Sequence, residues 1–215
     1  MSALLKEEEK EKSMRRNMFV GAMLLVVAVM AVGCAKPPQQ EIDAAKAALT
    51  AAEQAEAPKY AAGEWDKAQQ AMNAVNAELE AQQAKFALFR SYTKAKQLIV
   101  DATNAANAAK EAGIAGKEKA KTEAQAAIDA VKGAVTSTQE LLATLDKCRR
   151  KPKDMKKDLE MMKGNLDGYA AQITDIDGKF AREDFFGAKA QADSLKGQVD
   201  AMATEMNAAK TKIKC

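Results

Sequence analysis

Residues 128–145, IDAVKGAVTSTQELLATL, decide the fold class. Ile128, Val131, Val135, Thr138, Leu142 and Leu145 recur at alternating spacings of three and four. A helix of 3.6 residues per turn gathers such positions onto one stripe, and a sustained repeat of this kind makes the seam of a coiled coil. A half-buried strand would alternate at period two, which this stretch does not do.

The pattern continues in both directions. After Pro152 come Met155, Leu159, Met162, Leu166, Tyr169, Ile173, Ile176 and Phe180. The last series is Phe185, Ala188, Ala192, Leu195, Val199, Met202, Met206, Ala209 and Ile213. Upstream, Trp65, Ala68, Met72, Val75, Leu79, Gln82, Phe86 and Phe89 form one series. Tyr92, Ala95, Ile99, Ala102, Ala106 and Ala109 form another, displaced by one residue. That slip, at Arg90-Ser91, reads as a tight turn between helices, with a stammer in one long helix as the alternative. Ile42, Ala45, Leu49 and Ala52 mark a short helix over about residues 40–57 that Pro58 ends. Pro152 opens another helix, at a place where its missing N–H costs nothing. Gly113-Ile114-Ala115-Gly116 interrupts the pattern and is the expected boundary between two regions. The expectation is an all-α protein of antiparallel coiled-coil helical hairpins: an N-terminal hairpin region over 41–113 and a C-terminal antiparallel three-helix region over 114–215.

Composition agrees and excludes several functions. Aromatic residues are 5% of the chain, too few for a β-sandwich core, while 29% of residues are charged. The net charge of +3 is no footprint for wrapping nucleic acid. There is no histidine. Imidazole general bases, Ser-His and Cys-His pairs and the commonest zinc ligand are therefore absent.

The segment Met18–Gly33, MFVGAMLLVVAVMAVG, is uncharged and apolar, yet shorter than the ~20 residues that span a bilayer core. Lys12, Arg15 and Arg16 precede it, as in a secretion signal over 1–33. A start at Met14 would leave a more ordinary signal than one at Met1. The junction Ala31-Val32-Gly33-Cys34 resembles the lipobox of bacterial lipoproteins, with Ala31 in place of the usual leucine. The resemblance implies peptidase recognition of Ala31, Val32 and Gly33, and a diacylglycerol and an N-acyl chain on Cys34. It implies no other cofactor. An uncleaved inner-membrane anchor is the alternative. Residues 34–40, with Lys36-Pro37-Pro38, are the expected lipidated tether. Residue 35 is Ala rather than Asp, which by the same resemblance points to the outer membrane, facing the periplasm.

Ile42-x-x-Ala45, Ala57-Pro58-x-Tyr60-x-x-x-Glu64-Trp65-x-x-Ala68 and Tyr92-x-x-Ala95-Lys96 resemble the alanine-rich bacterial lipoproteins of the domain-of-unknown-function 4398 type. Asp184-Phe185-Phe186-Gly187-Ala188-Lys189 resembles the tail of such proteins. The resemblance implies an architecture and a location, not a mechanism.

Other candidates for chemistry are few. Asp175 with Asp177, and Glu183 with Asp184, are residue types of acid–base work, but solvated helix ends are the expected reading. The basic run Lys147, Arg149, Arg150, Lys151, Lys153, Lys156 and Lys157 suits either an anionic partner or a solvated interhelix loop. Met155, Met162, Met202 and Met206 fall on seams, as core residues do, and no metal site is expected. Trp65 and Tyr60 read as an apolar plug at one end of a hairpin. The helix opening at Pro152 and the helix from Phe185 have nearly equal length, so the return should bring Cys215 beside Cys148. A disulfide between them is expected in an oxidising compartment. No catalytic activity is expected. The expected role is a structural or interaction protein of the envelope, with a cell-wall or envelope protein as partner. A periplasmic chaperone or transport adaptor holding clients along an interhelical groove is the alternative.

Overall fold

A computed structural model describes residues 36–149 and 152–213, and every regular element among them is helical. In chain order these are α1 (Gln39–Gln54), α2 (Ala57–Tyr60), α3 (Ala62–Gln83), a 3₁₀ turn (Ala87–Phe89), α4 (Thr93–Lys147), α5 (Lys153–Ala181) and α6 (Phe185–Lys212). The slip at Arg90-Ser91 is a turn: α3 stops at Gln83 and α4 begins at Thr93.

The chain divides into two compact units. One holds the described residues up to Thr50 together with Lys67–Ala106; the other holds Ala51–Asp66 and the described residues from Asn107 onward. In the first unit, Ile42 and Ala45 of α1, Met72, Val75 and Leu79 of α3, and Ala95, Ile99 and Ala102 of α4 share one core with Tyr92. Alanine at so many seam positions lets the helices approach closely.

In the second unit the seam of 128–145 meets Leu159, Leu166, Tyr169 and Ile176 of α5 and Leu195, Val199, Met202 and Met206 of α6 in one core. The turn Arg182-Glu183-Asp184 returns α6 against α5, because so short a link leaves no room for a parallel neighbour. Met155 and Met162 pack against the same core, so the seam methionines act as filling.

Three expectations need correction. Pro58 does not end the first helix: α1 stops at Gln54, and Pro58 sits in the first turn of α2, where its missing N–H costs nothing. Gly113-Ile114-Ala115-Gly116 does not interrupt a helix: α4 runs through it for 55 residues in all, and packing divides the chain between Ala106 and Asn107. The glycines are there for clearance. A Cβ on Gly113 would lie 2.8 Å from the Ala55 carbonyl oxygen, and one on Gly116 would collide with the Tyr60 carbonyl oxygen. Phe86 and Phe89 do not lie on a seam either. α3 has ended before them, and both are exposed in the turn.

Candidate functional site

At one end of the first unit, polar side chains organise the passage from α3 to α4. The Lys94 ammonium lies 2.8 Å from a Glu78 carboxylate oxygen. Gln82 donates to the other oxygen of Glu78 at 2.7 Å, and its own side-chain oxygen accepts from the Ser91 backbone N–H at 3.1 Å. Glu78 and Gln82 are both buried. The Lys94 hydrogen bond first, and then that of Gln82, hold the Glu78 carboxyl below the usual carboxylate range. Each carboxylate oxygen of Glu78 thus accepts one hydrogen bond from a neighbouring side chain. The carboxylate secures the start of α4 against the end of α3.

Arg90 closes the same passage. Its guanidinium donates to the Lys85 carbonyl at 3.0 Å and to the Gln83 carbonyl at 2.9 Å, satisfying acceptors that the end of α3 leaves open. Within the loop the Phe89 N–H donates to the Phe86 carbonyl at 2.9 Å, and the two rings lie 6.4 Å apart. The result is a braced turn that holds Phe86, Leu88 and Phe89 outward.

No family model, curated protein or solved structure matches the chain. The geometry therefore carries the functional reading.

A second polar centre lies within the second unit. The Lys117 ammonium donates to Glu56 and to Glu183, each at 2.6 Å. Both glutamates have left-handed backbones, with φ of 56° and 61°. That conformation costs a residue bearing a Cβ roughly 1–2 kcal/mol, and the shared ammonium helps to hold two such reversals. The Glu183 carboxylate, hydrogen-bonded to Lys117, is held below its ordinary range, while Lys117 is pushed up by Glu183 first and Glu56 second. Tyr60 donates its hydroxyl to the Glu183 carbonyl at 3.3 Å and stacks at 5.4 Å on Phe186. Tyr60 thus packs, half-buried, against this unit's core, whereas Trp65, the other residue of the expected plug, is half-buried on α3 and belongs to neither core cluster.

The carboxylates singled out in sequence serve as helix-end and surface partners. Asp177 takes both oxygens to Lys132, Asp175 accepts from Gln191, and Asp184 caps α6 by accepting from the Gly187 N–H at 3.1 Å. Lys147, Arg149, Lys156 and Lys157 are exposed around the link from α4 to α5. Arg150 and Lys151 lie outside the described residues, as does the side chain of Lys153. Cys148 is buried just beyond α4, its sulfur 3.3 Å from the Thr144 carbonyl oxygen. Cys215, Cys34, Ala31, Val32 and Gly33 lie outside the described residues. Among the described residues no three of His, Cys, Asp and Glu gather as metal ligands, and no helix is long and apolar enough to cross a membrane.

Sequence reasoning missed Glu78, Lys94, Lys117 and Glu56. Glu78 and Gln82 stand four apart on one helical face, which was the legible signal for their pairing. Lys117 has none, because its partners are 61 and 66 residues away.

Proposed function

We propose that the chain is a lipid-anchored protein of the outer membrane, facing the periplasm, with a structural or interaction role and no catalytic activity. In this reading a signal over 1–33 is removed, Cys34 carries the lipid, and the helices act as antiparallel coiled-coil hairpins of the alanine-rich lipoprotein type. One observation carries the choice of role: the apolar seams of both units are filled. The large apolar side chains left exposed on the described helices, Val100, Ile114, Met161 and Phe186, are scattered singly. A client-holding groove would need a continuous apolar stripe of a few hundred Å² along the helices, so a spacer or docking role is favoured over a chaperone. Glu78 is paired with Lys94, and Lys117 with Glu56 and Glu183, which suits structural roles; Glu78 and Lys94 also line an open pocket with Gln82, Lys85 and Ser91.

The test is Cys34→Ser. The wild-type chain is expected to carry the mass of the lipidated form from Cys34 onward and to fractionate with outer membranes. The variant is expected to remain an unprocessed precursor. A Cys34→Ser chain of mature mass that still partitions into detergent would overturn the reading.

A further inference from the structure

The turn between α3 and α4 exposes three large apolar side chains side by side: Phe86 at 69%, Leu88 at 59% and Phe89 at 75%. Such a cluster in water is costly, yet the turn is braced to display it. Arg90 ties the backbone at Gln83 and Lys85, Ser91 is tied to Gln82, and the 3₁₀ turn fixes the two phenylalanines relative to each other. The flanks are basic. Residues 83–96 carry Lys85, Arg90, Lys94 and Lys96 and no acidic residue; Lys94 is ion-paired with Glu78. Aromatic and aliphatic tips rimmed by Lys and Arg are the composition of a segment that enters the boundary between lipid headgroups and acyl chains.

The placement of this turn matters as much as its composition. α1 and α3 are joined by only seven residues, 55–61, four of which are helical as α2. For α3 to run parallel to α1, that link would have to span the length of α1, 16 residues or about 24 Å, which it cannot do. The two helices are therefore antiparallel, and the start of α1 lies at the end of the first unit where α3 finishes. Pro38 is buried there and its carbonyl accepts from the Ile42 N–H at 3.0 Å. Cys34 is four residues earlier, so the covalent chain keeps it within roughly 14 Å of Pro38 in any conformation. A lipid on Cys34 would hold this end of the unit, and hence the exposed turn, against the bilayer surface.

We infer that Phe86, Leu88 and Phe89, with Lys85 and Arg90 at their rim, form a second membrane contact that docks this end of the chain on an anionic phospholipid surface. This rests on the lipid-anchor reading for the turn's proximity to the bilayer. The acyl chains on Cys34 would hold the chain at the membrane, and a protein-borne contact would set the orientation of the unit on the surface. Basic flanks favour anionic lipids, and their contribution is screened by salt.

The experiment uses the full chain isolated from membranes and reconstituted in vesicles of phosphatidylglycerol and phosphatidylethanolamine, part of it brominated. Trp65 is the one native tryptophan, so Trp65→Phe gives a silent background for Phe89→Trp as reporter and Val100→Trp as a control two turns along α4. The reporter at 89 is expected to shift to the blue and lose at least about half its emission to the brominated lipid, and the control to stay water-like. Exchanging phosphatidylglycerol for phosphatidylcholine, or introducing Lys85→Glu, is expected to weaken the quenching. A reporter at 89 that remains water-exposed while its chain is held on the vesicles would overturn the inference. So would burial of that reporter only after other envelope proteins are added, which would assign the turn to a protein partner. Intact mass of the same preparation keeps the two readings apart. A chain without lipid retires the anchor, and the reporter's response to added vesicles still decides the turn.

Discussion

Gly116 and Gly133 occupy the interior of the same helix, α4, but their surroundings differ. A Cβ on Gly116 would collide with the Tyr60 carbonyl, which is backbone and cannot swing aside, whereas one on Gly133 would meet nothing within 4 Å. Gly116→Ala is therefore expected to destabilise the protein by about 1–3 kcal/mol, the cost of overpacking. Gly133→Ala is expected to stabilise it by up to about 1 kcal/mol through helix propensity. Urea unfolding of the two variants checks both signs, and equal effects would show that Gly116 needs no clearance. Glu78 gives a prediction in pH. Its carboxyl titrates lower in the folded protein than in the unfolded chain, where about 4.3 is ordinary. The stability this contributes is complete above the ordinary value and is lost as pH falls through the lower, folded one. Glu78→Gln should therefore lose part of the acid dependence of unfolding, measured as stability against pH between ordinary carboxylate values and strong acid. An unchanged profile would mean that Lys94 contributes nothing to the folded state through Glu78.

At the scale of elements, α6 begins where Asp184 caps it. The Asp184 carboxylate accepts from the Gly187 N–H, one of the donors a helix start leaves open. Asp184→Ala is expected to cost about 1 kcal/mol, and Asp184→Asn to restore most of it, as read in the urea midpoint. The cap was half legible: Asp184 and Phe185 marked a helix start in sequence, but Asp184 was read simply as a solvated end. The seams were legible throughout wherever Leu, Ile and Val repeat at three and four, because that repeat depends only on helix geometry. Ile128, Val131, Val135, Thr138, Leu142 and Leu145 are all buried. Periodicity failed where it had to know where a helix ends. No Gly or Pro marks the end of α3, so Phe86 and Phe89 continued the count although they fall in the turn. It failed again at Gly113 and Gly116, because the reason for those glycines is a backbone segment more than fifty residues earlier in the chain. The polar centres failed for the same reason, distance along the chain, with Gln82 and Glu78 the local exception.

For the molecule as a whole, the ends of the chain are where covalent chemistry adds most. The second unit's packing bears on how the end of α6 is held. Cys148 is buried one residue past α4, at the end of a core that includes Leu145 and Leu159. α6 returns along α5, and Ile213, just beyond α6, packs against that same core. Cys215 follows Ile213 by two residues, so the covalent chain keeps it within about 7 Å of Ile213. We predict that Cys148 and Cys215 are joined in an oxidising compartment. The bond would close a loop of about 67 residues and contribute roughly 4 kcal/mol on the chain-entropy model. For a chain of this size that corresponds to about 10 °C in thermal midpoint. Peptide mapping without reductant should recover residues 148 and 215 in one cross-linked species, and reduction or Cys148→Ala should lower the midpoint. Recovery of both as free thiols from secreted protein would refute the bond, and with it the register that brings the end of α6 back to the start of α5.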